Sequence, residues 1–297
     1  MRKPGGALVA LAVLTAACTA GSGGSPTSTG PIESSDSTAN TSTVDPGDTD
    51  GYQICWTNPT SPSDGEITFT DETSAFGLET PLTGMRGHAA AWGDVNGDGI
   101  SDLVVGTFAL ARNDVYAVRG ATGPSPDRLL VGGDPEFEVS SFPEQFGRTS
   151  GAGFADLDGD GDLDLVLSRN ANGRDEGAST SVFENNGGTF TEVESGIDPA
   201  LGGRSIGVLD IDEDGLLDLV ILEDRYQGRS SKVYRNTGGL AFDDVGTEVG
   251  FPSDVTGLGV ATSDLNGDGY TDVFVAGSNR LFLGGDSTLT EAPGVIP

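Results

Sequence analysis

Positive charge is scarce in this chain. Lys and Arg total 15 of 297 residues, against 46 Asp and Glu, and the formal net charge is -31. A surface that binds nucleic acid needs clustered Lys and Arg to neutralise phosphates, so this balance argues against a nucleic-acid partner. Hydrophobic residues are only 35% of the chain and Gly contributes 47 residues. That composition favours many short strands joined by turns over a helical bundle.

Residue patterns typical of catalytic sites are also lacking. His88 is the only histidine, and the sequence has no nucleophile elbow, His-Glu-x-x-His motif or glycine-rich phosphate loop. His88 comes just before the first strand of a predicted repeat, and we interpret it as a structural residue rather than a catalytic base. A carboxylate pair could serve a hydrolase, but the repeated loops described below account for 14 of the aspartates. We predict that the protein is not an enzyme.

The N-terminus has the features of an export signal. Arg2 and Lys3 precede an apolar run at residues 7–17 that is too short to span a bilayer as a mature helix. The run ends in Leu-Thr-Ala-Ala-Cys18, which resembles a bacterial lipoprotein signal. The resemblance implies removal of residues 1–17 and lipidation of Cys18. We expect a lipid-anchored protein of the bacterial cell envelope, at the outer membrane or cell surface; an ordinary cleaved signal peptide is the alternative.

The rest of the chain divides into a tether and a folded domain. Residues 18–51 are rich in Ser, Thr, Gly and Pro, which predicts a disordered tether. Residues 52–297 are predicted to fold. If Cys18 is acylated, the second cysteine, Cys55, has no intrachain partner and is interpreted as a buried free thiol.

One pattern, Asp-x-Asp/Asn-x-Asp-Gly-x-x-Asp, occurs four times. The copies start at positions 94, 156, 210 and 264, at intervals of 62, 54 and 54 residues, which predicts a tandem array with one supersecondary unit per repeat. Oxygen-bearing side chains at alternate positions followed by Gly are typical of a loop that wraps a hard cation. Loop positions 1, 3, 5 and 9 would supply side-chain oxygens, and position 7 a backbone carbonyl.

These loops are not EF-hands, because position 12 holds Val105, Leu167, Ile221 or Val275 where an EF-hand has Glu. An all-oxygen ligand set favours Ca²⁺ over zinc or copper, with Mg²⁺ as second choice. We predict about four structural calcium ions. The predicted ligands are Asp94, Asn96, Asp98, Ile100, Asp102, Asp156, Asp158, Asp160, Asp162, Asp164, Asp210, Asp212, Asp214, Leu216, Asp218, Asp264, Asn266, Asp268, Tyr270 and Asp272.

The four loops differ in charge. The second and third have carboxylates at all four side-chain positions, whereas the first and fourth have Asn96 and Asn266 at position 3. We therefore expect the second and third loops to bind the cation more tightly.

Short apolar segments flank each loop. The segments after the loops, such as Leu165–Leu167 and Leu219–Leu222, are near-continuous apolar runs that predict strands buried on both faces. Two further strands are predicted later in the repeats, joined by Asn-Gly-Gly or Thr-Gly-Gly turns. Four antiparallel strands per repeat predict an all-β fold in which each repeat is one blade of a β-propeller.

The repeats resemble the FG-GAP and VCBS-type propeller repeats of integrin α-subunit heads and many bacterial secreted proteins. The resemblance covers roughly residues 66–297, and Phe146-Gly147 with Gly151-Ala152 is close to the pattern that names the family. It implies a β-propeller of four complete repeats. Ile67–Leu78 is similar to the outer strand of another repeat, so we expect four to five blades. We favour a closed small ring over an open series, because an open series leaves an exposed edge.

The resemblance also implies a function, since relatives with this repeat are often adhesive. We expect a non-enzymatic, calcium-binding cell-surface propeller that binds an unknown protein or glycan and contacts the membrane through its N-terminal lipid only. The alternative is a carbohydrate-binding lectin or an accessory module of a polysaccharide-processing system. Trp92, Tyr116 and Tyr226 are candidates for a sugar platform, although packing within the blades is the simpler interpretation.

Overall fold

The computed structural model describes residues 70–109, 116–170, 180–198, 201–223 and 230–293. The predictions for the signal peptide at 1–17, the tether at 18–51, the domain start at 52, Cys18 and Cys55 lie outside these ranges. Within them, no helix has the length and apolar character needed to cross a membrane.

The described residues form an all-β structure of sixteen strands in four separate antiparallel sheets. The first sheet contains β1 (Gly87–Gly93), β2 (Asp102–Thr107), β3 (Arg128–Val131) and β4 (Glu138–Val139), and the second contains β5 (Thr149–Ala155), β6 (Asp164–Arg169), β7 (Ser181–Asn186) and β8 (Thr189–Val193). The third contains β9 (Ser205–Leu209), β10 (Asp218–Leu222), β11 (Lys232–Asn236) and β12 (Phe242–Asp244), and the fourth contains β13 (Gly259–Ser263), β14 (Asp272–Ala276), β15 (Arg280–Gly285) and β16 (Thr288–Glu291).

Each sheet pairs its strands in chain order, so the prediction of four antiparallel strands per repeat is confirmed. The second strand is central, and in β6 and β10 every residue is buried. The near-continuous apolar runs predicted to be buried on both faces are these strands. The Asp-rich loop of each repeat connects the first strand to the second, so every sheet presents its loop at the same end.

Three apolar cores hold the sheets together, one at each contact between consecutive sheets. The first core includes Val104 of β2 and Leu165 of β6, and the second includes Val166 of β6 and Leu219 of β10. The third packs β10 and β11 against Val273, Val275 and Phe282 of the fourth sheet. We call the first strand of each sheet its inner strand. The inner strands of consecutive sheets also contact one another: β1 contacts β5, β5 contacts β9 and β9 contacts β13.

The series of sheets formed by the described residues is open. Within the described residues, no core or packing of comparable extent joins β13 of the fourth sheet to β1 of the first. The expected closure of the four sheets into a small ring is therefore not seen.

The exposure of Trp92 at the first end of the series is consistent with this. Its counterparts one and two repeats later, Phe154 and Val208, lie against the core shared with the preceding sheet. Trp92 has no preceding sheet among the described residues and is 59% exposed.

The opposite end of the series is also open, at position 2 of the fourth loop. In the first three loops this position holds Val95, Leu157 and Ile211, which are at most 4% exposed and belong to the core shared with the following sheet. In the fourth loop it holds Leu265, which is 49% exposed.

The predicted N-terminal strand at Ile67–Leu78 is wrong for its described part. Residues 70–78 fold into turns, with the Phe76 N–H donating to the Glu72 carbonyl at 3.0 Å. The Asp71 carboxylate accepts the Thr73 N–H at 3.0 Å. Such local bonds from Asp compete with an extended strand. The segment instead packs the Phe76 ring edge-on against Phe137 at 6.2 Å between centroids.

Position 2 is buried in the second loop and exposed in the fourth, which provides a matched pair of substitutions. Leu157→Ala removes a side chain that is fully buried between two sheets, and we expect the free energy of unfolding to fall by about 2–5 kcal/mol. Leu265→Ala at the equivalent position should cost less than about 1 kcal/mol, because half of that side chain already contacts solvent. Urea unfolding of both variants measures this, and equal losses would mean that a further sheet covers Leu265.

Candidate metal centres

Each Asp-rich loop is closed by its own first carboxylate. The Gly at position 6 has positive φ in all four loops, a conformation that only Gly adopts without strain. Its N–H donates to the position 1 carboxylate in every copy. The bonds are Gly99 to Asp94 at 2.8 Å, Gly161 to Asp156 at 3.2 Å, Gly215 to Asp210 at 3.1 Å and Gly269 to Asp264 at 3.0 Å.

The position 5 carboxylate is fixed in the same way, because it accepts the N–H of position 7 two residues later. The four distances lie between 2.8 and 2.9 Å. In every loop, backbone donors therefore hold the carboxylates of positions 1 and 5. The position 7 carbonyls of Ile100, Asp162, Leu216 and Tyr270 stay predicted ligands. In the second loop the Asp162 side chain also accepts the Gly187 N–H at 2.7 Å.

The aspartate at position 9 is the most buried carboxylate of each loop, with at most 1% of its surface exposed. Its two oxygens accept two backbone N–H groups, one from loop position 2 and one from the third strand or its end. The bonds are Asp102 with Val95 and Gly132, both at 2.8 Å; Asp164 with Leu157 at 3.0 Å and Asn185 at 2.9 Å; Asp218 with Ile211 and Asn236, both at 2.7 Å; and Asp272 with Leu265 and Gly284, both at 2.8 Å.

The buried environment of the position 9 aspartates changes their pKa. The pKa of Asp164 and of Asp218 is raised to about 6: burial is the largest cause, the two backbone N–H donors oppose it, and the neighbouring loop carboxylates add to it. Burial raises the pKa of Asp102 and Asp272 as well. A buried carboxylate beside other carboxylates favours a nearby cation, because the cation stabilises its ionised form.

Two of the four loops bring three carboxylates close enough to share one ion. Oxygens of Asp156, Asp158 and Asp164 all lie within 4.8 Å of one another, and so do oxygens of Asp210, Asp212 and Asp218. Elsewhere in the described ranges no other group of three His, Cys, Asp or Glu side chains does so. These are the loops with four carboxylates at the predicted side-chain positions.

The third loop passes a further test of fit. The Oδ1 atoms of Asp210 and Asp212 are buried and accept no hydrogen bond from the described residues. A buried oxygen without a donor is costly unless a cation or water satisfies it. The donor set is all oxygen, so these residues fit a hard divalent cation.

The first and fourth loops are arranged differently around their asparagines. The Asn96 amide donates to Asp98 at 3.0 Å, and the Asn266 amide donates to Asp268 at 2.8 Å. An amide donor at position 3 lessens the repulsion between carboxylates, so these loops depend less on a cation than the other two.

The sequence patterns did not identify Asn185 and Asn236 as site residues. Their side-chain amides donate to the position 2 carbonyl of the preceding sheet's loop, Asn185 to Val95 at 2.8 Å and Asn236 to Leu157 at 2.6 Å. The first and second loops are thereby bonded to the next sheet. The available signal was an Asn in the same place in both repeats, two residues before the Gly-Gly turn.

Arg235 was missed for a different reason, because it occurs in one repeat only. Its Nε lies 2.9 Å from Asp212 Oδ2 in the third loop, and its Nη1 lies 2.9 Å from Glu248. The second sheet has Glu184 in the same place. The third loop is thus partly neutralised by an arginine, and the second is not.

The structure distinguishes the aromatic residues that were candidates for a sugar platform by their exposure. Tyr116 is 1% exposed and cannot contact a ligand, whereas Trp92 is exposed; Tyr226 lies outside the described ranges. His88 lies within β1, exposed to solvent, and its ring packs edge-on against Phe108 at 4.1 Å between centroids.

The geometry agrees with comparisons of known families. An FG-GAP-like repeat matches residues 156–221 and 210–275, and an FG-GAP repeat matches residues 86–116. The chain therefore contains FG-GAP and FG-GAP-like repeats. Four separate four-stranded antiparallel sheets are consistent with blades of a propeller. No curated protein sequence matches the chain.

Several solved structures are similar to this chain at low identity. They include a rhamnogalacturonan lyase of Bacillus licheniformis (14% identity, 70% of this chain and 42% of that chain, TM-score 0.42) and BBS1N in complex with ARL6DN (14%, 71% and 57%, TM-score 0.41). A third is the V. cholerae biofilm matrix protein Bap1 (18% identity, 69% of this chain and 30% of that chain, TM-score 0.34). The chain spans between 30% and 57% of the length of these structures.

Mutation can separate two roles of the loop aspartates: the joining of the loop to the third strand, and the predicted binding of a cation. In chelator, Asp164→Ala leaves two buried N–H groups without an acceptor, and we expect a loss of about 2 kcal/mol or more. Asp160→Ala removes one exposed hydrogen bond and relieves repulsion, so its effect should stay within about 0.5 kcal/mol. Urea midpoints with and without calcium report both, and equal losses in chelator would contradict the strand-joining role.

Proposed function

We propose that this chain is a calcium-stabilised β-propeller module of the cell surface, which binds a protein or a glycan and catalyses no reaction. The observation that carries the proposal is the grouping of three carboxylates in the second and third loops, each joined to the third strand of its sheet. The repeats found in the chain support a binding module of propeller type.

The metal's proposed role is structural. About four Ca²⁺ ions, with Mg²⁺ the second choice, would neutralise the loop carboxylates and favour the ionised form of the buried position 9 aspartate. Asp94, Asp98 and Asp102 with Asn96 would hold the ion of the first loop, and the matching residues would do so in the others. An ion that binds only the folded state stabilises it by mass action.

The absence of an enzymatic role is proposed from the composition of the loops. Their position 1 and position 5 carboxylates accept backbone N–H groups, and the single histidine lies against a phenyl ring. We also propose export and anchoring through a lipid on Cys18, with no nucleic-acid partner, because the chain is strongly acidic.

A lectin or an accessory module of a polysaccharide-processing system is the second candidate. The observation that favours it is Trp92, an indole ring 59% exposed at the open end of the sheet series and packed against Phe137 at 6.0 Å. Exposed aromatic rings provide apolar surface on which sugar rings can pack.

Calcium binding can be tested with position 3 variants of two loops. We expect calcium to raise the melting temperature, and calorimetry to show that Asp158→Ala in the second loop weakens the tightest binding by about tenfold or more. Asn266→Ala in the fourth loop is the matched control and should alter only weaker binding. Loss of the tightest binding in Asn266→Ala but not in Asp158→Ala would reverse the assigned order of the loops.

The binding function itself calls for a glycan array probed with the calcium-loaded protein and with Trp92→Ala. Binding that needs Trp92 would support the lectin alternative, and binding to glycans that does not need it would support the general binding proposal. A protein that binds no glycan on the array and no protein in cell-surface cross-linking would contradict both.

A further inference from the structure

Three of the chain's few cations share one location in the fold. Arg86, Arg148 and Arg204 each directly precede the inner strand of a sheet, β1, β5 and β9 respectively. Consecutive inner strands pack side by side, so the three arginines lie at the same end of neighbouring strands. We call them the arginine cluster.

The Phe108 ring organises the cluster. The guanidinium carbon of Arg86 lies 5.6 Å from the ring centroid and that of Arg148 lies 5.0 Å from it, while the His88 ring packs edge-on at 4.1 Å. Backbone contacts fix these positions: the Phe108 N–H donates to the Arg86 carbonyl at 3.0 Å, and Phe108 forms an antiparallel bridge with Arg148. Two cations are thus held at a single 7% exposed ring that joins the first two sheets.

Arg86 and Arg148 differ from other arginines of the described residues in their charged neighbours. Arg235 and Arg280 each pair with two carboxylates. For Arg86 and Arg148, by contrast, the described part of the chain provides no carboxylate within 4.0 Å, and the buried Nε of Arg148 has no hydrogen-bond acceptor there. Partial burial of its ring lowers the pKa of His88, and the positive charges of Arg204, Arg86 and Arg148 lower it further, in agreement with the shared location of the three arginines.

We propose that the arginine cluster is a binding site for an oxyanion group, a carboxylate or a phosphate, of the ligand. Guanidinium groups present paired N–H donors that match the two oxygens of such a group, and the anion would relieve the repulsion between neighbouring cations. In a chain with net charge -31, a local positive site selects for anionic groups that the rest of the surface repels.

The site is separate from the metal loops. Those loops follow the far ends of the inner strands, and β1 has seven residues, so the two ends are roughly 20 Å apart. Metal binding would then support the fold, while the arginine end contacts the ligand. The inference rests on the proposed binding function and names the chemistry of the bound group.

The test uses the calcium-loaded full chain and titration calorimetry with three probes: a uronic-acid tetrasaccharide, a neutral tetrasaccharide of the same linkage and inorganic phosphate. We expect the uronic-acid sugar or phosphate to bind and Arg148→Gln to weaken that binding by about tenfold or more. The matched control is Arg280→Gln, which removes the same charge from the fourth sheet and should leave the affinity unchanged. Calcium-loaded melting curves confirm that each variant is folded.

The two anion probes distinguish the sources. Arginine-dependent binding of the uronic-acid sugar alone identifies a carboxylate, and that of phosphate alone identifies a phosphate; either result supports the site. Equal anion affinity in wild type and Arg148→Gln, or no anion binding at about 10 mM, overturns it. The proposed binding function survives that failure if the array identifies a ligand that binds wild type and Arg148→Gln equally.

Discussion

The structure depends on one interaction that is repeated four times. A buried aspartate at loop position 9 accepts one backbone N–H from the start of its loop and another from the third strand or its end. Asp164 and Asp218 each join the loop between the first two strands of a sheet to the third strand of that sheet. Burial raises the pKa of these carboxylates against the lowering effect of the two N–H donors, so a nearby cation would stabilise their ionised form. Loop chemistry and sheet geometry are therefore coupled.

The coupling extends from one sheet to the next. Asn185 and Asn236 donate their backbone N–H groups to the position 9 aspartate of their own sheet, and their side-chain amides donate to the loop of the preceding sheet. The apolar residue at loop position 2 belongs to the core between the same two sheets. A disturbance of one loop would thus reach its own sheet, the neighbouring sheet and the core that joins them.

Much of this was predictable from the sequence. Oxygen-bearing residues at fixed offsets indicate a loop, and the apolar runs after the loops indicate buried strands, because both signals are local. The second N–H partner of each position 9 aspartate was not predictable, because it lies 12 to 30 residues away and any residue can supply it. The strand expected at Ile67–Leu78 is absent from its described part, where the Asp71 side chain forms a local turn. Ring closure was not predictable either, because it depends on packing between sheets, which sequence periodicity does not encode.

The central claim is tested most directly by amide hydrogen exchange at the two partners of the position 9 aspartate. We predict that the amides of Leu157 and Asn185, and those of Ile211 and Asn236, exchange slowly, and that calcium slows each pair together, because each pair shares one carboxylate. Calcium protection confined to Leu157 and Ile211, with the third-strand amides unchanged, would contradict the claim that the loop and the strand are joined through that carboxylate.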